Sequence, residues 1–495
     1  MSNISRRSFI QRGTAAAAAF TIAPSTILGK SHGYVAPTDK LNIAAVGIGG
    51  MGNANIKAVE KTENLVALCD VDWRYAKPVF DRFPNAKKYW DYRKMYDEMG
   101  KSIDAVIVAT ADHTHAIITA DAMTLGKHVY TQKPLTHSVY EARLLTNLAK
   151  STGVATQMGN QGSSDEGTDL ACEWIWNGEI GEVTKVECAT NRPIWPQGLN
   201  APEKEDRIPK TLNWDLFTGP AEMIPFNNVY HPWNWRGWWR YGTGALGDMA
   251  CHILHQPFKA LKLGYPTRVE GSSTLLLKDC APQAQHVKLI YPARDNMPKV
   301  AMPEVEIHWY DGGLLPVRPK GFPEGEDMMA MGGGITIFYG TKDTLVCGCY
   351  GQKPRLMSGR VPNAPKVCRR VPNAMGGGHE MDWVAACKES KENRRVLKSR
   401  FEEAGPFTEM VDMGVLAVRL QTLNKELLWD GNKMEFTNIK DDETIRILIK
   451  DDFKIVDGDP KFNKIWTDPV NARQFAAELI KHNYREGWKL PDMPR

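Results

Sequence analysis

The sequence predicts an α/β protein of two domains, a doubly wound parallel sheet followed by an α+β domain with an open, mainly antiparallel sheet. Two observations lead to this prediction. Short apolar, β-branched runs such as Leu41–Val46 and Ile103–Ala109 alternate with helical stretches in the first third of the chain, as buried parallel strands do. Beyond about Gly159 the runs alternate apolar and polar residues, as Val183–Ala189 does, which is typical of strands with one wet face.

Length and composition agree with two domains and a leader. The chain has 495 residues, more than one ordinary domain needs, and we assign 1–36 to a leader, 38–160 to the first domain and 161–495 to the second. Hydrophobic residues at 42% and charged residues at 24% indicate a soluble globular protein. A net charge of +4 without a long basic run gives no reason to expect nucleic acid as a partner.

The first residues carry an export signal. Ser5-Arg6-Arg7-Ser8-Phe9-Ile10 precedes an apolar run, Ala15–Ile22, which is too short to span a bilayer. Paired arginines followed by phenylalanine resemble a twin-arginine signal, which exports folded proteins, and an ordinary secretory signal is the alternative. We therefore expect a periplasmic protein. Because no later segment has the apolar length of a membrane span, we expect no stable membrane insertion after export.

A glycine motif follows the first predicted strand directly. Gly47-Ile48-Gly49-Gly50-Met51-Gly52 has the spacing of a Rossmann dinucleotide fingerprint, and Asp70 ends the next apolar run eighteen residues later. Gly47 allows the tight turn, Gly49 lets the backbone approach the pyrophosphate, and Gly52 lets the helix pack on the strand. Gly50 and Met51 begin the helix whose N-terminus faces the phosphates.

Asp70 is the residue that chooses between the two nicotinamide cofactors. A carboxylate there accepts hydrogen bonds from the ribose hydroxyls and repels a 2′-phosphate, which favours NAD. NADP is the alternative, because Arg74 lies close in sequence.

Further cofactor contacts are expected where other strands end. Asp112 and His115 follow the strand Ile103–Ala109, Gln132 and Lys133 follow the next one, and Asn160 stands at the end of the first domain. Parallel strands place their carboxyl ends at one edge of the sheet, so these side chains should share the cofactor crevice. His113 and His115 also permit a metal site, but a cofactor or substrate contact is favoured and no metal is predicted.

Two longer motifs make the chain resemble a known family. Gln132-Lys133-Pro134 and Gly244-Ala245-Leu246-Gly247-Asp248-Met249-Ala250-Cys251-His252 are similar to motifs of the glucose–fructose oxidoreductase, inositol dehydrogenase and MocA (Gfo/Idh/MocA) family, over the chain from about Leu41 onward. The resemblance implies that Lys133 lies beside the nicotinamide and the substrate, and that a cis bond precedes Pro134. It also implies that Asp248 and His252 project from one helix into the active site. Gln132 departs from the family's usual Glu.

The residue types suit oxidation of a secondary alcohol. Asp248 and His252 are four residues apart and so lie on one helical face. We predict that His252 is the general base, with Lys133 and Asp248 as electrostatic and orienting partners. A capped helix with a structural histidine is one alternative. A zinc site formed by Asp248, His252 and His255 is the other.

An aromatic segment, Trp233–Tyr241, runs directly into the Gly244 helix. Clustered indoles line carbohydrate clefts, although a buried core with an interface patch is an equal alternative. We predict sugar contacts from this segment and its neighbours, namely Arg192, Tyr230, His231, Trp235, Arg236 and Tyr241. The stretches 199–228 and 281–303, rich in Pro, Asn and charge, are predicted as surface loops.

The combined prediction is a periplasmic NAD-dependent oxidoreductase that takes hydride from a ring carbon of a sugar or glycoside, expected to be C3. Its NAD should be tightly bound, because the periplasm offers no dependable supply. An NAD-dependent glycosidase that oxidises C3 transiently and then eliminates the aglycone is an alternative, with Tyr230 or Tyr241 as second base. A non-catalytic sugar-binding protein with a relict nucleotide site is another. By resemblance we also expect a homo-oligomer, a dimer or tetramer.

Overall fold

The computed structural model describes residues 39–494, so the export-signal prediction lies outside the described residues. The first domain is built on a six-stranded parallel sheet with the order β3-β2-β1-β4-β5-β6, which is the Rossmann order. Its strands are β1 Asn42–Val46, β2 Asn64–Cys69, β3 Lys87–Tyr89, β4 Ala105–Val108, β5 His128–Thr131 and β6 Thr156–Met158.

Five helices connect these strands, and polar caps set several of their ends. The Asp72 side chain accepts hydrogen bonds from two N–H groups of the second helix, and Ser138 caps the fifth, which ends at Gly153 with φ +67°. The helices are α1 Gly50–Val59, α2 Trp73–Arg82, α3 Tyr92–Met99, α4 Asp112–Thr124 and α5 Val139–Thr152.

The second domain contains a nine-stranded sheet with the order β13-β12-β11-β7-β10-β9-β8-β14-β15. Only β7 and β10 pair in parallel, so the predicted fold class is confirmed. The strands are β7 Val183–Thr190, β8 Arg268–Ser273, β9 Gln285–Tyr291, β10 Val305–Tyr310, β11 Gly334–Gly340, β12 Thr344–Gly348, β13 Arg355–Leu356, β14 Leu427–Asp430 and β15 Glu435–Phe436.

One predicted surface loop contains a strand of this sheet. The loop prediction for 281–303 is wrong over β9, because Val287, Leu289 and Tyr291 point into the core and are buried. The flanking prolines and charges hid this short alternating run.

The helices of the second domain are α6 Glu166–Trp176, α7 Trp214–Thr218, α8 Gly244–Ile253, α9 His255–Ala260, α10 Gly378–Cys387, α11 Phe401–Arg419 and α12 Ala472–Ile480. Helix α11 packs on α5 of the first domain and on β8 of the second, and α10 packs on α1. The two domains therefore share a core, which holds the crevice between them in one shape.

The last part of the chain adds two small two-stranded sheets. One pairs β16 Thr444–Ile445 with β19 Val470–Asn471, and the other pairs β17 Leu448–Val456 with β18 Asp459–Trp466. The segment after α12 returns to the first domain. No helix between residues 39 and 494 is long and apolar enough to cross a membrane. The nine cysteines are free thiols, and all but Cys368 are buried.

Candidate active site

A cleft of about 1160 Å³ lies at the carboxyl ends of the parallel strands, between the first domain and the loops around α7 and before α8. It contains the glycine motif, the end of β2 and the ends of β4 and β5. Eleven of the predicted site residues line it, namely Gly47, Gly49, Gly50, Met51, Asp70, Asp112, Gln132, Lys133, His231, Trp235 and Arg236. The structure thus brings the predicted cofactor and substrate contacts into one space.

The glycine turn has the backbone that its sequence predicts. Gly47 has φ +74°, and a Cβ there would lie 2.6 Å from the carbonyl oxygen of Ala109. A Cβ on Gly52 would lie 1.9 Å from the carbonyl oxygen of Gly47, so only glycine lets α1 approach β1 this closely. Gly52 acts through this packing and does not itself line the cleft.

The second glycine, Gly49, lies against an aromatic ring in the cleft. A Cβ on Gly49 would lie 2.3 Å from the ring of Tyr75, also a cleft residue, so the missing side chain leaves room for that ring. The first turn of α1 carries no side-chain cap and no acidic residue. Its free N–H groups and positive dipole end fit a dinucleotide phosphate.

Asp70 is held rigidly at the end of β2. Its two carboxylate oxygens accept hydrogen bonds from the N–H groups of Ile48 (2.8 Å) and Asp72 (2.9 Å). Burial raises the pKa of this carboxyl, and the two N–H groups act in the opposite direction. Arg74 is exposed and does not line the cleft, so the described residues favour ribose hydroxyls over a 2′-phosphate at this position.

The motif residues of the two domains meet through charge. Lys133 Nζ lies 2.7 Å from Asp248 Oδ1 and 3.0 Å from the Asp248 carbonyl oxygen, and Arg236 Nε lies 3.3 Å from the same Oδ1. Burial acts to raise the pKa of Asp248, but Lys133 and Arg236 outweigh it and hold the pKa far below its ordinary value. The Lys133–Pro134 bond is cis, as the resemblance implies. The result is an ionised carboxylate that orients two cations at the cleft.

His252 lies one helical turn beyond Asp248 on α8. Burial lowers the pKa of its imidazole well below the ordinary value, and the charge of Lys133 lowers it further, so the ring is neutral at neutral pH. Its ring packs edge-to-face on Tyr350 at 4.6 Å, and its Nδ1 is buried without a hydrogen-bond partner in the described chain. His252 and Asp248 lie behind the lining of the cleft, with Lys133 and Arg236 at its surface.

Asp112 is the second carboxyl of the site. Its Oδ2 accepts hydrogen bonds from the Thr243 N–H (3.2 Å) and the Thr243 hydroxyl (2.9 Å), immediately before α8. Burial raises the pKa of Asp112 to about 7, against the opposite influence of Arg236. The contact ties the end of β4 to the start of the motif helix and leaves a titratable group in the cleft wall.

The Asp112→Asn variant should change how stability depends on pH. The folded-state pKa of about 7 for Asp112 exceeds that of an unfolded aspartate, so the folded protein binds this proton more tightly than the unfolded chain does. Protonation therefore stabilises the fold, and this stabilisation is lost as the pH rises from about 4 to about 7. The free energy of unfolding of the wild type relative to the variant should therefore fall by roughly 2–4 kcal/mol across that window. Urea unfolding at several pH values measures this difference. A constant difference would contradict the buried, titrating carboxyl, and the exposed Asp97→Asn serves as control.

Two predicted sugar contacts are core residues instead. Tyr230 and Tyr241 are buried, and their rings pack edge-to-face at 5.9 Å beside Trp214. Neither lines the cleft, so the structure places both tyrosines in the core beside it. The aromatic pattern was the same for cleft and core, and only the packing separates them.

His115 also lies outside the cleft. Its Nδ1 faces the Pro134 carbonyl oxygen at 2.7 Å and its Nε2 faces the Thr110 carbonyl oxygen at 3.1 Å. Burial lowers the pKa of its imidazole to about 4. The ring thus joins the segments that follow β4 and β5.

Asn160, Arg192 and Gln132 complete the predicted set. Asn160 and Arg192 do not line the cleft, and the buried Asn160 Oδ1 has no hydrogen-bond partner within residues 39–494. Gln132 lines the cleft and donates from Nε2 to Asn55 Oδ1 at 3.0 Å. Asn55 in turn donates to Glu380 at 2.8 Å. The Glu380 carboxylate is thus linked through Asn55 to Gln132, the position at which the family usually has Glu.

The aromatic segment is divided between the cleft and the core. Trp233, 45% exposed, and Trp235 line the cleft, with the Arg236 guanidinium 4.0 Å and 4.3 Å from their ring centroids. Trp235, Trp238 and Trp239 are buried. The segment therefore exposes Trp233 at the cleft while its other tryptophans anchor it in the core.

His231 is positioned by the first domain. Its Nε2 lies 3.0 Å from Asp72 Oδ2, and it lines the cleft.

Several cleft residues were not predicted from the sequence. Tyr75, Trp90, Asp91, Tyr92 and Trp488 all line the cleft. The first four follow β2 and β3, where a ligand on a Rossmann sheet is expected, and that position was an available signal. Trp488 had none, because its place depends on how the chain end folds back.

The histidine pairs do not form a metal centre. Across residues 39–494, no group of three or more His, Cys, Asp or Glu side chains is arranged to hold a metal ion. His255 faces the Thr168 hydroxyl at 3.4 Å, and both ring nitrogens of His113 face carbonyl oxygens. The zinc alternative for Asp248, His252 and His255 therefore has no support in the geometry.

Comparisons with known proteins match both domains to one family. Residues 41–160 match the Gfo/Idh/MocA model described as an oxidoreductase family with an NAD-binding Rossmann fold. Residues 182–289 match the model for the C-terminal alpha/beta domain of that family. The first domain is therefore an NAD-binding Rossmann domain, which agrees with its glycine turn and Asp70.

The individual relatives match only part of the chain, at low sequence identity. Inositol 2-dehydrogenase of Salmonella typhimurium is 26% identical over 151 residues, 30% of this chain and 44% of that protein. Glycosyl hydrolase family 109 protein 1 of Akkermansia muciniphila is 26% identical over 174 residues, 32% of this chain and 35% of that protein. The chain thus spans less than half the length of either relative.

Solved structures share the fold. An inositol dehydrogenase homolog of Azotobacter vinelandii, complexed with NADH and myo-inositol, superposes with a TM-score of 0.52 at 17% identity, covering 77% of this chain and 96% of that one. At this identity the likeness shows a common fold.

Proposed function

We propose that this chain, whose two domains match models of the Gfo/Idh/MocA oxidoreductase family, oxidises a hydroxyl-bearing ring carbon of a sugar or glycoside with NAD. The observation that carries the proposal is the contact of Lys133 with Asp248, beside Arg236, in the cleft that holds the NAD fingerprint. Removal of hydride from a carbinol leaves charge on oxygen, and a fixed cation at that point stabilises it.

The residues of the cleft fit NAD, and each has a separate role in the proposed reaction. Asp70 and the α1 N-terminus hold the adenosine ribose and phosphates, and bound NAD supplies the hydride acceptor. Lys133, oriented by Asp248, stabilises the developing alkoxide. His252, neutral because it is buried, takes up the hydroxyl proton. His252 does not line the cleft, so the hydroxyl proton has to pass Lys133 and Asp248 to reach the His252 imidazole.

The substrate side of the cleft fits a carbohydrate. Trp233, 45% exposed, offers an apolar face on which the C–H side of a pyranose stacks, and Arg236 offers polar groups to its hydroxyls. The relative named inositol 2-dehydrogenase supports a polyhydroxylated ring as substrate. Attack at C3 is part of the proposal and rests on the resemblance of the motifs to those of NAD-dependent glycosidases that oxidise C3.

A second candidate is a redox-neutral glycosidase, which the likeness to a glycosyl hydrolase family 109 protein favours. Oxidation at C3 acidifies the C2 proton, which a base removes as the aglycone is eliminated from C1. Water then adds at C1 with return of a proton to C2, and the hydride returns to C3. The cycle needs a second base. Burial argues against Tyr230 and Tyr241 as this base. We assign the role to Asp112, because this residue lines the cleft and carries a carboxyl group.

We also propose that the protein works in the periplasm with retained NAD, as a dimer or tetramer. The location rests on the Ser5–Ile10 signal, and retention follows from the poor supply of soluble cofactor there. The oligomer rests on the family resemblance and on the partly exposed side chains of one sheet face, such as Lys288 and His308.

One experiment separates these functions. Purified protein is denatured to identify released nicotinamide cofactor, and native protein is then incubated with sugars and aryl glycosides, with and without an external hydride acceptor. A 3-keto sugar that needs an acceptor supports the oxidoreductase. Aglycone release without acceptor supports the glycosidase.

The same assay on His252→Asn tests the general base. We expect loss of most turnover with retained NAD. Undiminished turnover would contradict the base assignment, and absence of turnover on every sugar by the wild type would revive the non-catalytic sugar-binding hypothesis.

A further inference from the structure

The cofactor cleft is closed on one side by the end of the chain. Trp488, eight residues after Ile480 ends α12, lines the same cleft as Gly49 and Asp70, although more than 400 residues separate it from them. Nothing in the fingerprint or the two family motifs accounts for this residue.

The position of Trp488 within the cleft follows from the sheet order. The cleft crosses the carboxyl edge of the sheet from β3 to β5. Lys133 and Asp112, after β5 and β4, mark its nicotinamide end, and Asp70, after β2, marks the adenosine ribose. Trp488 lies at the β3 end, since it packs against Arg93 and Tyr92 of α3. From Asp70 towards β3, the next part of a bound NAD is the adenine.

The Trp488 ring is held by the first domain. The Arg93 guanidinium lies 4.2 Å from the ring centroid, and the Tyr92 ring centroid is 6.3 Å away. Arg93 is itself fixed by a bidentate contact with the Asp91 carboxylate at 2.7 and 3.0 Å. A ring held in this way is preorganised, so stacking a base on it costs little side-chain entropy.

The residues before Trp488 fasten this part of the chain to α7 of the second domain and to α5 of the first. Arg485 donates from Nη1 to Asp215 Oδ1 at 2.7 Å and from Nη2 to the Asp215 carbonyl oxygen at 2.8 Å, which holds it to α7. Its N–H donates to the Pro220 carbonyl oxygen at 3.0 Å. Tyr484 donates to Glu141 Oε1 of α5 at 2.7 Å. The segment 484–488 is thus a strap from the substrate-side loop to the nucleotide domain.

We propose that Trp488 is an adenosine-binding residue and that the strap 484–488 retains NAD in the cleft. The adenine stacks beside the Trp488 ring, and the strap slows the departure of the dinucleotide by spanning the gap between the two walls. The inference rests on the NAD-binding domain and does not require the proposed sugar oxidation. It also gives a structural reason why an exported enzyme can keep its cofactor.

The test uses full-length protein freed of bound nucleotide, with ADP-ribose, NAD and nicotinamide mononucleotide as probes in titration calorimetry. In Trp488→Ala the dissociation constants of ADP-ribose and NAD should rise roughly tenfold, since base–aromatic stacking contributes on that scale, while that of nicotinamide mononucleotide stays unchanged. Trp488→Phe should restore most of the affinity. The control is Trp466→Ala, an exposed tryptophan of the β17–β18 hairpin that does not line the cleft.

Unchanged ADP-ribose affinity in Trp488→Ala would overturn the proposal. So would an equal loss for nicotinamide mononucleotide, because it would mean that the whole cleft had deformed. Should Trp488→Ala not fold, Arg485→Gln tests the strap with the ring intact, and NAD should then dissociate several times faster than from wild type. An unchanged dissociation rate would overturn it. Wild type that binds ADP-ribose but oxidises no sugar would contradict the proposed function and leave this inference standing.

Discussion

Replacing Lys133 with methionine should lower kcat about a hundred- to a thousandfold while NAD affinity changes by no more than about twofold. Lys133 is the only residue that both lines the nicotinamide end of the cleft and contacts the Asp248 carboxylate at 2.7 Å, as far as residues 39–494 show. Methionine keeps the unbranched shape and removes the charge that would face a developing alkoxide. The interaction strengthens as the alkoxide forms, so its loss should affect turnover more than binding.

Steady-state kinetics and calorimetric NAD titration on the same preparation measure the Lys133→Met effect. The matched control is Lys101→Met, which removes an exposed lysine of the same domain outside the cleft. A change in KM alone, with kcat preserved, would show that Lys133 holds substrate without stabilising charge, and would contradict the proposed chemistry.

Substituting Gly52 with alanine should destabilise the protein by roughly 3 kcal/mol and weaken NAD binding strongly. The new Cβ would lie 1.9 Å from the Gly47 carbonyl oxygen and 3.3 Å from the Ala109 Cβ. The backbone oxygen cannot swing aside as a flexible side chain can. Helix α1 must therefore move off β1, and its N-terminal N–H groups move away from the phosphate position with it.

Chemical unfolding and ADP-ribose titration of Gly52→Ala give the two readouts. Gly100→Ala is the matched control, because a Cβ there meets nothing within 4 Å, and it should change stability by less than about 1 kcal/mol. Native stability with full affinity in Gly52→Ala would contradict the close contact between α1 and the glycine turn.

The first domain could be predicted well from the sequence because its signals are local. A strand, a glycine turn, a helix and an acid follow one another within thirty residues, and each has one physical role in that order. The second domain was predicted by class only. Strand β9 was missed because a short alternating run surrounded by prolines and charges has a weak period, and its burial depends on partners distant in sequence.

For the predicted substrate contacts, the residue type alone does not predict which side chains line the cleft. Tyr230, three positions before the aromatic segment, packs in the core, whereas Trp233, the first residue of the segment, is exposed at the cleft. His115 and His231 are both histidines near the cofactor crevice, and only His231 lines it. The direction of each side chain is set by the packing of α7 and the loop before α8, which no local pattern encodes.

The sequence by itself determined the cofactor domain and the NAD preference through Asp70, which follow from local spacing and from the way parallel strands collect their ends at one edge. The meeting of Lys133 with the Asp248 helix was implied by the resemblance of their motifs to those of a known family. Only the tertiary structure decided that Tyr75 covers Gly49, that Glu380 stands behind Gln132, and that Trp488 closes the adenosine end. Each of these contacts joins segments whose meeting depends on the packing of the whole molecule.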